Sequence, residues 1–298
     1  MYEDIKRNKM KSFVIVAIFT IIIGLAVYGV CYMFEFQEFS ILIAAILAII
    51  SSIATYYNCD KVVLRSVRAR PATREEDLQL TNILDGLMVT SGLTKKPDLY
   101  VIDSAQPNAF ATGRDPEHSV ICVTSGLIEK LDYYELEAVV AHELSHIRNY
   151  DIRLSAVISV MAGFLVILSD TFTRRFFRRR RNNNRDNDSS IESVVAIFGF
   201  VLLIISPIIS SLIQLAVSRR REYLADATAI EFTRNPDALI SALFKISNDD
   251  SELDVASKSN AYMYIENPYV NKRKKQISNL FSTHPTIEER VNAIKNLK

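Results

Sequence analysis

Three cysteines in 298 residues, Cys31, Cys59 and Cys122, are too few and too scattered for a disulfide framework or a cysteine-based zinc site. Two of them border or sit in apolar segments, where a buried thiol acts as a small hydrophobe, and such sparse use fits a reducing compartment. An excess of one charge sign is also missing. The 35 Lys and Arg against 34 Asp and Glu leave a net charge of +1, which gives no support for a nucleic-acid partner. Four runs, at 13–34, 39–59, 154–169 and 193–218, hold no charged residue at all. The charges crowd onto the remaining chain, where about a third of residues carry one, above the roughly one quarter typical of a soluble domain. A uniformly soluble globule is excluded. So is a transporter carrying ionisable groups inside its apolar segments.

Residues 13–34 and 39–59 each reach the roughly 20 apolar residues that a helix needs to cross a bilayer. Tyr56 and Tyr57, near the end of the second run, suit an interfacial aromatic belt. The first run is too long for the core of a cleaved signal peptide and no small-x-small site follows it, so it reads as an uncleaved anchor. Lys6, Arg7, Lys9 and Lys11 precede it, the connection Glu35 to Glu38 has no Lys or Arg, and Lys61, Arg65, Arg68, Arg70 and Arg74 follow the second run. Positive flanks stay in the cytoplasm, which predicts a hairpin with both ends inside.

The third and fourth runs resist this logic. If both span, the cluster Arg174, Arg175, Arg178 to Arg181 and Arg185 lies outside, against the same rule. The third run is short and Pro207 interrupts the fourth. A hairpin that enters without crossing, or helices covered by the soluble part, fits them equally. The cluster itself reads as a loop facing solvent or lipid headgroups.

Between the apolar pairs, Glu75 to Val89 shows helical spacing at Leu80, Ile83, Leu84, Leu87 and Met88. Three strand-like runs follow, Leu99–Ile102, Ala109–Thr112 and Val120–Val123, punctuated by Pro107, Gly113 and Pro116. Asp132 with Glu135 forms a capping-box pattern that opens a further helix, with Leu136, Val139 and Val140 as its buried stripe. That helix carries His142-Glu143-Leu144-Ser145-His146. Histidines at i and i+4 lie on one helix face and reach a single ion, and Glu143 beside them is placed to take the proton of an attacking water. Zinc suits such a site, accepting His and carboxylate ligands and acidifying water to a pKa of about 7. Four His and 17 Glu would produce the pattern by chance roughly 0.003 times in a chain of this length.

A catalytic zinc needs a third protein ligand and an open position. His118 and His284 are the remaining histidines; Glu222, in a basic helix directly after the fourth run, is the better candidate, since it returns to the membrane surface where the zinc helix also ends. Asp226, one turn further along the same face, is placed to accept a hydrogen bond from a ligand histidine. On spacing alone a surface Glu and Asp on a basic helix fit as well.

His142-Glu143-x-x-His146 followed by Glu222-x-x-x-Asp226, with paired hydrophobic segments before and between, resembles the HtpX-type membrane zinc metalloproteases, gluzincins related to the prenyl-protein (CAAX) proteases. Asn108 to Gly113 and Phe281-Ser282-Thr283-His284-Pro285 match that family too, so the resemblance covers nearly the whole chain. It implies Glu222 as third ligand, Asp226 as its support, and one Zn(2+) per chain. The implied fold is mainly α with a small β-sheet, a membrane-anchored gluzincin protease domain with four hydrophobic helices. Its parts would be an N-terminal transmembrane hairpin (1–59), a first protease segment with the zinc helix (60–151), a second hydrophobic pair with the Arg-rich loop (152–218), and a second protease segment with the third ligand (219–298). Asn108, Ala109, Phe110 and Ala111 correspond to a segment that holds substrate in thermolysin-like relatives, mostly through backbone groups, though an ordinary core strand also fits. His284, next to Pro285 and a capping box at Thr286 to Glu289, is either a helix-entry residue or an oxyanion or switch residue.

The expected activity is metal-dependent peptide hydrolysis, with Glu143 passing a water proton to the leaving amine. The expected setting is a multi-pass protein of the plasma or inner membrane with its catalytic part facing the cytoplasm. Its expected substrates are membrane proteins or misfolded polypeptides, cleaved in quality control and stress response, and the lipid bilayer is its other partner. Its oligomeric partners stay open. A site-specific CAAX-type processor usually has more membrane spans, and a non-catalytic scaffold with a structural zinc would have no need of Glu143. Ser247 to Lys275, polar, then apolar around Tyr262 to Ile265, then basic, has the pattern of a lid over the cleft.

Overall fold

The computed structural model describes residues 2–33, 40–161, 219–249, 251, 263–265 and 285–297. Half of the third apolar run, the fourth run, the Arg-rich loop, most of the lid stretch and His284 lie outside the described residues.

Two long helices open the chain, α1 (Tyr2–Met33) and α2 (Ser40–Ser66). They pack with Thr20 Oγ1 2.5 Å from Ser52 Oγ, and at Gly24 the space a side chain would fill is 3.7 Å from the Ala48 Cβ. Helix α2 bends at Asn58, whose backbone is non-helical (φ −120°, ψ 16°). The bend falls at the end of the charge-free run. Beyond it Val63, Leu64 and Val67 lie on one face of the sheet with Ile102, Phe110, Val120 and Cys122. Several side chains inside α1 and α2 lie outside the described residues, and over the described ones no helix is long and apolar enough to cross a membrane.

The sheet has four strands in the order β1 (Arg70–Pro71), β2 (Asp98–Ile102), β4 (His118–Thr124), β3 (Ala109–Asp115). β2 and β4 run parallel, and the outer pairings are antiparallel. The three expected strands are present, each longer by one to three residues; β1, two residues long, was too short to read. Period-2 alternation divides the faces. Val101, Ala109, Ala111, Ile121 and Val123 face the main core, opposite the α2 side. Gly113 (φ +143°) ends the regular part of β3, where a Cβ would meet His118 O at 2.2 Å.

The main core lies between the sheet and the helices α3 (Arg74–Ser91), α4 (Ser125–Lys130) and α5 (Tyr133–Arg148). Both expected capping boxes near the site form, Asp132 with Glu135 on α5 and Thr286 with Glu289 on the C-terminal helix. After α5 the chain turns through Tyr150 (φ +59°) into α6 (151–161), whose Leu154, Val157, Ile158 and Met161 pack on Ile15 and Phe19 of α1. The described chain resumes in α7 (Arg219–Thr233), α8 (Pro236–Asn248) and α9 (Ile287–Lys295). Ser247 lies in the last turn of α8, so the stretch read as a lid starts inside a helix. Helices α5, α7 and α8 join through Ala229, Phe232, Leu239, Ala242 and Leu243, which brings α7 alongside the His-Glu-x-x-His helix.

Candidate metal centre and substrate edge

Helix α5 runs through the core with Leu136, Val139, Val140 and Leu144 fully buried, and this fixes which way its other residues point. His142 and His146, one turn apart, stand with ring centroids 4.9 Å apart and planes perpendicular. From α7, Glu222 brings its carboxylate to both, with Oε2 3.7 Å from His142 Nε2 and Oε1 3.9 Å from His146 Nε2. One ligand atom from each of these residues lies within 4.8 Å of the others. Ligands of a tetrahedral ion with ~2.0–2.1 Å bonds stand roughly 3.3 Å apart, so small side-chain rotations suffice to close the shell.

Both imidazoles are fixed through their other nitrogen. His142 Nδ1 lies 3.0 Å from Asp226 Oδ1, and His146 Nδ1 lies 3.0 Å from Asp151 Oδ2. A carboxylate on Nδ1 selects the tautomer that leaves Nε2 free to bind a cation. The donor set of two imidazole nitrogens and one carboxylate oxygen therefore fits a divalent metal. Burial and the nearby Arg290 guanidinium both disfavour a charged His142. Contacts with Asp226 and Glu222 outweigh them and lift its imidazole to about 9. A proton and a metal ion thus compete for Nε2, and metal uptake releases the proton.

Two supporting groups had no counterpart in the sequence reading. Asp151 sits just past the end of α5 and is buried; besides His146 it is bound by Asn8 Nδ2 of α1 at 2.6 Å, and Arg221 Nη1 lies 3.5 Å away. Arg290 of α9 is 1% exposed and grips Asp226 with Nε at 2.9 Å and Nη2 at 2.5 Å. Burial would raise the Asp226 carboxyl, but Arg290 and His142 hold it below the usual carboxylate range. Asp151 stands five residues after a ligand histidine, and Arg290 interrupts the apolar stripe of Ile287, Val291 and Ile294. Those were the only signals in the sequence.

Glu143 is buried beside the ligands and receives the Ala111 N–H. Burial pushes its carboxyl up, opposed by the two imidazoles. Ala111 lies on β3, the outer strand on this side of the sheet. Thr124 N donates to Asn108 O at 3.0 Å, making Asn108–Thr124 a hydrogen-bonded pair. Alternation then turns the main-chain groups of Ala109 and Ala111 away from β4. The Ala109 N–H goes to the Asn108 side chain at 3.0 Å, and Ala109 O accepts from Ile265 N at 3.0 Å. The segment 263–265 thus lies on this edge, held also by the Tyr264 ring against Phe110 at 5.2 Å and by Arg290 Nη1 on Ile265 O at 3.4 Å. Phe110 itself packs toward α2, away from the ligands. His118 pairs with Asp115 on the β3–β4 hairpin and takes no part in the metal cluster. Cys122 is a buried free thiol pushed up by burial, as expected of a small hydrophobe.

The model of peptidase family M48 matches residues 74–298. Proteins described as "Protease HtpX homolog" are similar over the whole chain. The one from Dictyoglomus thermophilum is 42% identical, covering 99% of this chain and 94% of its own. That from Caldanaerobacter subterraneus is 38% identical, covering 100% and 98%. Among solved structures, S. mikatae Ste24p is similar with a TM-score of 0.49 at 19% identity, covering 99% of this chain and 66% of that one.

Proposed function

The chain belongs to peptidase family M48, a metalloprotease of the HtpX kind, and from that premise we propose that it is a zinc-dependent endopeptidase cleaving membrane proteins or misfolded polypeptides at the cytoplasmic membrane surface, in quality control. The observation that carries this reading is the convergence of His142, His146 and Glu222 with Glu143 beside them. A bound zinc supplies Lewis acidity, polarising a carbonyl and acidifying water. Glu143 accepts the proton of the attacking water at its carboxylate and delivers it to the leaving amine. Its proton affinity, raised by burial, suits both halves of that task. Asp226 and Asp151 orient His142 and His146 through Nδ1, so that each Nε2 points to where the ion would bind. The β3 edge holds an extended substrate through main-chain hydrogen bonds, with Ala109 O taken in competition with Ile265 N, which selects conformation over sequence.

The membrane setting is supported by the exposed apolar side chains along α1 and α2, among them Phe13, Ile21, Leu25, Leu42, Ile46 and Ile50. Exposed apolar side chains of that kind are matched by lipid. The basic flanks at Lys6 to Lys11 and after Lys61 support a cytoplasmic catalytic part.

Glu143→Gln tests the catalytic reading. Casein hydrolysis should fall by about 10²–10⁴-fold while zinc content stays at one per chain. A variant that keeps both zinc and proteolysis would overturn the role given to Glu143. Structural sites are closed by four protein ligands, whereas the described residues supply three.

A further inference from the structure

We propose that a pocket between α1 and α7, beside the metal centre, binds a phosphate group, supplied in the membrane by an anionic lipid headgroup. The pocket, open to solvent and about 50 Å³ in volume, is lined by Arg7, Asn8 and Lys11 on α1 and by Arg220, Arg221 and the Asp151 carboxylate opposite them. Four cations thus face one carboxylate, and that carboxylate is already engaged by Asn8, His146 and Arg221. The neighbouring Arg219 is turned to Glu289 at 3.6 Å. Arg7, Lys11 and Arg220 have no carboxylate partner among the described residues. Lys11 is held below its ordinary value by burial and by the proximity of Arg221 and Arg7. Like charges converging on a partly buried pocket favour an anion that bridges them, and Arg and Lys together are the side chains that grip phosphate oxygens.

The position selects the source. Lys11 stands two residues before the charge-free run that starts at Phe13. If that run spans the bilayer, as proposed above, the pocket lies at the depth of the cytoplasmic headgroups, where basic pockets between helices bind acidic lipids. The lipid source rests on that membrane reading; the phosphate chemistry does not.

The test uses the full chain carrying Glu143→Gln, which prevents self-digestion, in neutral detergent micelles. Native mass spectrometry measures retention of phosphatidylglycerol against phosphatidylcholine, with inorganic phosphate as competitor. Retention of phosphatidylglycerol over phosphatidylcholine, with displacement by inorganic phosphate, is the expected result. The double variant Arg7→Gln/Arg220→Gln, at two exposed positions, should weaken phosphatidylglycerol binding roughly 30-fold and Lys11→Gln alone about five-fold. Binding of inorganic phosphate without lipid preference overturns the lipid assignment. Undiminished phosphatidylglycerol binding in the folded variants, or no binding of either ligand, overturns the site. Carbonate extraction of cell membranes reads the membrane setting separately, since micelle binding does not depend on bilayer insertion.

Discussion

Each histidine of the candidate metal centre leans on an acid from a different part of the chain, His142 on Asp226 and His146 on Asp151. Such partners typically contribute 10–100-fold to metal affinity. Asp151→Asn and Asp226→Asn should therefore each weaken zinc binding by about 10–100-fold in a chelator competition; equal affinity in wild type and Asp151→Asn would remove Asp151 from the site. The grouping of His142, His146 and Glu222 with Glu143 and Asp226 was legible because helix periodicity and the family pattern place them on shared faces. Asn8 and Arg290 were not. Asn8 lies 143 positions from Asp151, and Arg290 lies 64 from Asp226. No local spacing encodes such meetings. In the sequence Asn8 was one polar residue in a basic flank, and Arg290 one cation on a short amphipathic helix.

The edge of β3 and the cap of α5 are where elements control the site. Ile265 N occupies Ala109 O, a main-chain acceptor that an extended substrate would use. Ile265→Pro removes that donor, so KM for an unfolded polypeptide should fall with kcat little changed. A raised KM would mean that 263–265 builds the site instead of competing for it. On α5, Glu135 both caps the helix and binds Ser241 and Lys245 of α8, each at 2.6 Å. Burial alone would raise its carboxyl, but Lys245, Ser241 and the Asp132 N–H override burial and hold it below the ordinary value. A lowered folded-state value means that Glu135 stabilises the fold above the unfolded value of about 4.3 and that this stability fades as pH falls through the folded one. Glu135→Gln should cost about 1 kcal/mol at neutral pH, and melting curves of the two proteins should converge in acid. A pH-independent gap would assign the loss to packing. The strands were legible from β-branched runs between Gly and Pro, and the helices from capping boxes. Segment 263–265 was legible only as an apolar patch, because its place on the edge is set by Phe110 and Arg290, distant in sequence.

At the scale of the molecule, apolar runs and metal ligands belong to the same stretches of chain. Helix α6 begins at Asp151 and packs its apolar face on α1, while α1 returns Asn8 to Asp151. The N-terminal helix pair and the metal centre are thus coupled through side chains, which composition could not reveal. Charge-free length announces an apolar helix but not its neighbours, and the third and fourth runs stayed ambiguous because their flanking charges oppose the rule that orients the first two. The most direct test of the whole account is zinc per chain, measured by atomic emission on full-length protein in the Glu143→Gln background. The three-ligand centre predicts one zinc in that background and near-complete loss on adding His142→Ala, His146→Ala or Glu222→Ala. Retention of a full zinc by any folded ligand variant would contradict it.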